Sequence, residues 1–206
     1  MTFDSLQEDI RSYLERGFTE ETDKLVYNQI PRLINMAERR IARELKIQGF
    51  TRAVNMSVEQ GKSVYKKPDR WRDTISMAYG GVSLFTRSYD YLRSYWPVPE
   101  EEGMPRFYAD YDYDHWLIAP TPDSSGVAEV LYYELPRLLD DEAQTNWLTD
   151  HAPNLLLYGA LLEATPFLKN DERIQTWQMM YDRAAQTLNG EDLQKIMDRN
   201  AMRSGV

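Results

Sequence analysis

The sequence predicts an α+β fold: a helical bundle formed by N- and C-terminal helices, with an antiparallel β-rich insertion between them. Three observations carry this. Apolar residues recur at helical spacing up to about residue 45; the period then shortens while Gly, Pro, Val, Tyr, Thr and Phe accumulate; and after residue 135 the helical period returns. The expected divisions are 1–49 for the N-terminal helices, 50–135 for the β-rich insertion, 136–190 for the C-terminal helices and 191–206 for a C-terminal tail.

Phe3, Leu6, Ile10 and Leu14 follow a possible N-cap at Thr2 and predict a short amphipathic helix that Gly17 ends. A second helix is expected from a cap near Thr22, its stripe running through Val26, Ile30, Leu33, Ile34, Ala37, Ile41 and Leu45 until Gly49. Pro31 lies inside that stripe and costs about 3 kcal/mol in a helix interior, so a kink there or a late start near Gln29 is expected. Strands are expected at residues 52–58 and 63–66 around a turn at 59–61, then at 73–79, 106–111, 116–119 and 127–133, arranged as antiparallel hairpins. The stretch holding Tyr89, Leu92 and Trp96 reads as a loop with a turn of helix, broken by Pro97 and Pro99. Thr145 is a candidate cap for a short piece with Trp147 and Leu148. Pro153 then opens a helix apolar on more than one face, expected to be the most buried one. Asn170 or Asp171 is expected to cap a last helix, with the stripe Ile174, Trp177, Tyr181, Ala184, Ala185 and Leu188 ending at Gly190.

At 206 residues the chain is long enough to bury roughly 70% of its unfolded surface. Acidic residues outnumber Lys plus Arg by 33 to 24, a formal charge of −9, which disfavours a surface that grips nucleic-acid phosphate without regard to sequence. The absence of cysteine excludes disulfides, thiolate chemistry and Cys-ligated metals. No segment approaches the ~20 apolar residues that cross a bilayer, and MTFDSLQEDI lacks the features of a signal peptide, so a soluble intracellular product with no membrane contact is expected. With 14 Tyr and 5 Trp the chain is rich in rings that favour protein interfaces, which points toward assembly.

Candidate chemistry is sparse. The run DYDYDH at 110–115 imitates the start of a calcium loop, but its sixth position is His115 rather than Gly and its twelfth is Thr121 rather than Glu, so a polar hairpin turn is the better reading. His115 and His151 show no metal-ligand spacing, and Asp150-His151 has no nucleophile motif beside it; Pro153 marks it as a helix junction. The acids at 100–102 and 140–142 form no glycosidase pair legible without a separation in space. No phosphate-cradling motif occurs, and Gly80-Gly81 reads as a strand end or tight turn. No catalytic residue, metal or cofactor is assigned. Arg32, Arg39, Arg40 and Arg43 leave the apolar stripe of the second helix; they read either as a solvated face paired with Glu38 and Glu44 or as a contact with an acidic subunit or partner.

The segments NQIPRLINMAERRIARELK, GMPRFYA with LIAPTP, and LYYELPRLLDDEAQTNWLTDHAPNLLLYGALLEATPFLKNDERIQTWQMMYDRAAQTL resemble the head-to-tail adaptor proteins of tailed bacteriophages over roughly residues 1–188. Members often carry Leu-Pro where this chain has Lys67-Pro68, so the hairpin before Trp71 is expected to pack differently here. The resemblance implies a structural virion protein of the neck, made in the host cytoplasm. It would form a ring, commonly twelvefold, below the portal protein and dock tail or nozzle proteins, while genomic DNA passes through its channel. A ring of about twelve such chains would carry a formal charge of about −108, which would keep DNA from sticking where that charge lines the channel. Leu193, Ile196 and Met197 sit at helical spacing in the tail and are candidate anchors on the portal, beside the arginines of the second helix as candidate subunit or portal contacts. A tail terminator, a tail-tube protein or a virion-borne carboxylate glycosidase are the competing readings.

Overall fold

The computed structural model describes residues 1–98, 101–167 and 172–203, with 191–203 given by backbone alone. The fold is mixed α+β, and the chain divides into two compact units: Met1–Phe50 with Leu135–Val206, and Thr51–Glu134.

The first unit is helical. α1 (Phe3–Leu14) begins at an extended Thr2 whose hydroxyl accepts Ser5 N–H while Ser5 Oγ accepts Thr2 N–H, a reciprocal cap; it ends at Glu15 in the left-handed region (φ 57°), two residues ahead of Gly17. α2 (Lys24–Glu44) is capped by Asp23 rather than Thr22 and continues through Pro31, so the late start near Gln29 is not what occurs. Val26 and Ile30 are both buried and hold the turns before Pro31 in helical form, which offsets the lost backbone bond. α4 (Trp147–His151) is capped by Asn146, one residue after the expected Thr145. α5 (Pro153–Glu163) starts with proline at its first position and buries residues on nearly every side, packing against α1, α2 and α6 (Arg173–Arg203). Gly159 permits the close approach: a Cβ there would lie 3.3 Å from the Ala37 Cβ and 3.4 Å from the Tyr181 ring. α6 runs through Gly190, where its end was expected, because one glycine costs about 1 kcal/mol and the following residues favour helix. The expected cap, Asn170 or Asp171, lies outside the described residues.

The second unit holds β1 (Thr51–Val58), β2 (Val64–Lys66), β3 (Trp71–Tyr79), β4 (Val82–Thr86), α3 (Tyr89–Tyr95), β5 (Glu102–Gly103), β6 (Phe107–Asp110), β7 (His115–Ala119), β8 (Thr121–Pro122) and β9 (Gly126–Glu134). Seven strands form one sheet in the order β1-β9-β3-β4-β6-β7-β2, and β5 pairs β8 separately. The expected all-antiparallel arrangement is corrected, since β4–β6 and β5–β8 are parallel; α3 lies in the connection that carries the chain from β4 back to run beside it. The expected β1–β2 hairpin is corrected too. β1 pairs all eight residues with β9, β2 pairs β7, and the two strands end at opposite edges of the sheet. The turn between them is held by the Tyr65 hydroxyl, 2.6 Å from Lys62 O and accepting Glu59 N–H at 3.0 Å. β4, which the alternation of the sequence does not announce, buries only Leu84. It follows β3 through Gly80 and Gly81, whose φ values of 55° and 81° make a tight two-residue loop. The core of this unit is built around Trp116, Met77, Ile118 and Val130, with Trp116 Nε1 donating to Thr74 Oγ1 at 2.9 Å.

Candidate interaction surfaces and buried charges

The four candidate arginines of α2 do not act as one face. Arg32, Arg39 and Arg43 are exposed, whereas Arg40 is half-buried and ties three helices together. Its Nε donates to Glu44 at 2.9 Å, its Nη1 to Glu163 on α5 at 3.2 Å, and its guanidinium lies 5.5 Å from the Tyr181 ring of α6. Tyr181 donates its hydroxyl to Glu44, and burial together with that carboxylate holds the phenol protonated well above its usual range. The side chains of Leu193, Ile196 and Met197 lie outside the described residues.

Glu38, read from sequence as a partner of those arginines at the surface, is instead wholly buried at 0% exposure. One carboxylate oxygen accepts the Leu139 N–H at 3.1 Å and Asn35 Nδ2 at 3.4 Å; the other accepts Asn146 Nδ2. Asn35 Nδ2 also reaches Leu139 O at 2.9 Å, and the Asn146 Oδ1 caps α4 through the Leu148 and Thr149 amides. Glu38 thus clasps the irregular stretch that leads into α4. Among the described residues it forms no ion pair, and burial pushes its carboxyl up to about 7 against the opposing pull of the Leu139 and Asn146 donors. The sequence did hold the signal: Glu38 stands four residues after Ile34 and three before Ile41, on the buried stripe itself.

The β unit buries a charge of the other sign. The Lys67 side chain is 2% exposed, and its Nζ donates to Asp110 Oδ1 at 2.7 Å and Asp112 O at 3.0 Å, 3.6 Å from the centre of the Trp71 ring. This is the Lys67-Pro68 position at which the resemblance leads to an expectation of leucine. The segment 110–115 is a β6–β7 hairpin turn, as the polar reading held: Asp112 accepts Asp114 N–H at 2.8 Å and meets His115 Nδ1 at 2.9 Å. Its acids serve the turn and Lys67. Among the described residues, no group of three or more His, Asp or Glu side chains is placed to hold a metal ion.

Asp150 and His151 stand at the α4–α5 junction, joined to Pro153 by Ala152, with the imidazole against the Trp147 indole at 5.1 Å. Asp140 accepts Glu142 and Ala143 amides in a local turn, and Glu102 accepts Gln60 Nε2 at 3.0 Å; Glu100 lies outside the described residues.

Sequence reasoning missed an aromatic face on the β unit. α3 seats Leu92 over Ala109, Leu117 and Ala119, with Tyr91 half-buried against the same cluster and Tyr89 and Tyr95 exposed. Tyr91 packs on Tyr95 at 4.5 Å and on Phe107 at 6.3 Å, and Phe107 meets Trp96 at 5.3 Å and Phe85 at 6.3 Å. Phe85 and Tyr95 remain 62% and 64% exposed. The Arg87 guanidinium lies 5.7 Å from Tyr91 and 5.6 Å from Phe107, and Arg93 lies 5.4 Å from Tyr89. The i, i+4 spacing of Tyr91 and Tyr95 was the available cue.

Polar side chains that lock segments together, beside exposed aromatic faces, define a protein organised for structural contact. A family model described as SU10 adaptor protein matches residues 1–204, and the chain belongs to that family, one of phage head-to-tail adaptors. No curated protein matches the sequence. Membership implies a structural rather than a catalytic role and a place in the neck of the virion.

Proposed function

We propose that the protein assembles with copies of itself into a ring beneath the portal protein, docks tail or nozzle proteins, and lines the channel through which DNA leaves the head. The observation that carries this reading is the family match over nearly the whole chain. Its helices from both ends of the chain would form the bundle that makes the ring body, with Arg32, Arg39 and Arg43 at subunit or portal contacts and Leu193, Ile196 and Met197 as portal anchors. Twelve copies is the expected number. The acidic balance of 33 to 24 supports a channel that repels DNA, and the helical share of the chain weighs against a tail-tube or terminator role. Purified protein mixed with portal assemblies and viewed by electron microscopy is expected to add a ring to one face of the portal. Persistent failure to associate, at low and physiological salt, would sink the reading.

A further inference from the structure

Two exposed helix faces of the first unit carry opposite charge at the same interval. Leu25, Arg32, Met36, Arg39 and Arg43 recur at steps of seven, four, three and four residues, so they share one outward stripe of α2. No acid stands on that stripe: Glu38 is buried, and Glu44 is turned to Arg40 and Tyr181. Among the described residues, neither Arg32 nor Arg39 has a carboxylate within ion-pair distance. Leu25 and Met36, 63% and 42% exposed, give the stripe apolar contact area.

On α1 and its cap, Asp4, Glu8 and Glu15 form a matching outward stripe. Among the described residues, Asp4 and Glu8 have no cation within ion-pair distance; Arg11 is turned to the Tyr27 ring at 4.5 Å and to Gln7 at 3.3 Å. Glu15 meets Arg173 loosely, at 3.6 Å, with its side chain 79% exposed. The steps are four then seven along α1 and seven then four along α2. An antiparallel alignment therefore sets Asp4 against Arg43, Glu8 against Arg39 and Glu15 against Arg32, over roughly 16 Å of helix. It also brings the N-terminus of α1 beside the C-terminus of α2, the favourable sense for their dipoles.

We propose that the Asp4, Glu8 and Glu15 face of α1 in one copy packs antiparallel on the Arg32, Arg39 and Arg43 face of α2 in the next copy, a subunit contact that rests on the ring reading and adds its residues. The chain's other acids do not offer this match. Asp110 and Asp112 serve Lys67 and His115 in a tight turn, and Asp140 accepts the Glu142 and Ala143 amides on the stretch already clasped to α2. Among the described residues, no other helix carries three acids on one face. The sequence after residue 190 mixes Glu191, Asp192 and Asp198 with Lys195, Arg199 and Arg203. An outside acidic protein would satisfy the α2 stripe and leave the α1 stripe unanswered. A second copy answers both, because each chain gives one face and receives the other, the heterologous arrangement from which rings close.

The chain has no cysteine, so disulfide trapping reads the contact directly. Chains carrying Glu8→Cys and Arg39→Cys together are assembled on portal particles and oxidised. A ladder of linked chains running past the dimer is expected on a non-reducing gel, while a mixture of the two single-cysteine chains is expected to stop at the dimer. In a second measurement, Arg32→Glu with Arg39→Glu, exposed substitutions that leave the circular dichroism unchanged, is expected to raise the concentration that fills the ring roughly tenfold or more. Adding Glu8→Lys and Glu15→Lys to the same chain is expected to restore assembly. A link within one chain, a ladder that stops at the dimer for the double variant, or a normal ring with no link between positions 8 and 39 each overturns the contact and leaves the adaptor reading standing. Loss of portal binding by the arginine variant that the lysine changes do not restore assigns the stripe to the portal and overturns the contact as well. If the unaltered chain forms no ring on the portal, the ring reading itself falls and takes the contact with it.

Discussion

Among the described residues the helical unit and the β unit each bury one charged side chain at a place where the chain must be held, and they solve the problem in opposite ways. Lys67 meets a formal opposite charge, Asp110, together with a carbonyl and the Trp71 ring, so its ammonium is compensated directly. Glu38 meets only neutral donors, the Leu139 amide and the Asn35 and Asn146 side chains, and its carboxylate is the less well paid-for of the two. The difference teaches where sensitivity to solution conditions resides. A carboxylate buried among neutral donors, as Glu38 is, titrates near neutrality.

The largest expected effect is a pH dependence that originates at Glu38 in the helical unit. The folded state holds the Glu38 proton up to about pH 7, whereas the unfolded chain releases it near 4.5. Its contribution to stability is full below about pH 4.5 and is lost as the pH rises through about 7, a loss on the order of 3 kcal/mol. The charged groups facing it are Arg39, which opposes the shift, and Asp140, which adds to it. Urea unfolding followed at pH 5 and pH 8 is expected to show the fall, and Glu38→Gln to flatten it. An undiminished slope in that variant would assign the dependence elsewhere and break the contrast between the units.

Asp110→Asn probes the other side. It removes the negative charge and leaves the Lys67 ammonium, 2% exposed, with neutral acceptors alone, the carboxamide oxygen and Asp112 O, beside the Trp71 ring. Because the Asp110 side chain is itself largely exposed, the expected cost lies below the usual range for a broken buried pair, about 2 kcal/mol. Loss of the effect at extremes of salt is not expected, since the pair is shielded from solvent on the lysine side; a strongly salt-dependent cost would mean that the ammonium reaches water.

How far this architecture could be read in advance follows from the same contrast. Helices bounded by one strong cue were legible: the Thr2 cap, Pro153 at the first position of α5 and the all-round apolarity of that helix each rest on a local rule. Pairing in the sheet was not. Residues 52–58 and 63–66 were visible as strands, but their neighbours in sequence suggested a hairpin, whereas β1 gains an eight-residue partner in β9, far along the chain. Alternation says which face a residue takes and is silent about which strand lies beside it. The polar contacts failed for a related reason. Glu38 was assigned by its charge to the surface although its spacing assigned it to the core, and spacing won because donors from residues 139 and 146, about a hundred positions away, meet it there. The arginine cluster was legible only as composition: folding sends Arg40 into a three-helix tie and leaves Arg32, Arg39 and Arg43 outside.

The smallest effect gives the sharpest comparison. Lys67→Met keeps the length of the lysine stem and places a polarisable sulfur by the Trp71 ring, while Asp110, already exposed, turns to water. Asp112 O sits in an exposed turn and gains water as a donor in place of the ammonium. Removing both charges from the interior in this way is expected to change stability by no more than about 1 kcal/mol, less than Asp110→Asn although the substitution is at the buried residue. The equivalent change in the helical unit, Glu38→Met, would strand the buried Leu139 N–H, while Asn146 Nδ2 keeps Arg137 O at 3.1 Å, and is expected to cost about 2 kcal/mol. Denaturant midpoints of the two methionine variants at pH 7 decide the matter. If Lys67→Met costs as much as Glu38→Met, the ammonium is holding the 67–71 and 110–115 segments together by its hydrogen bonds rather than merely filling an apolar position with its charge neutralised.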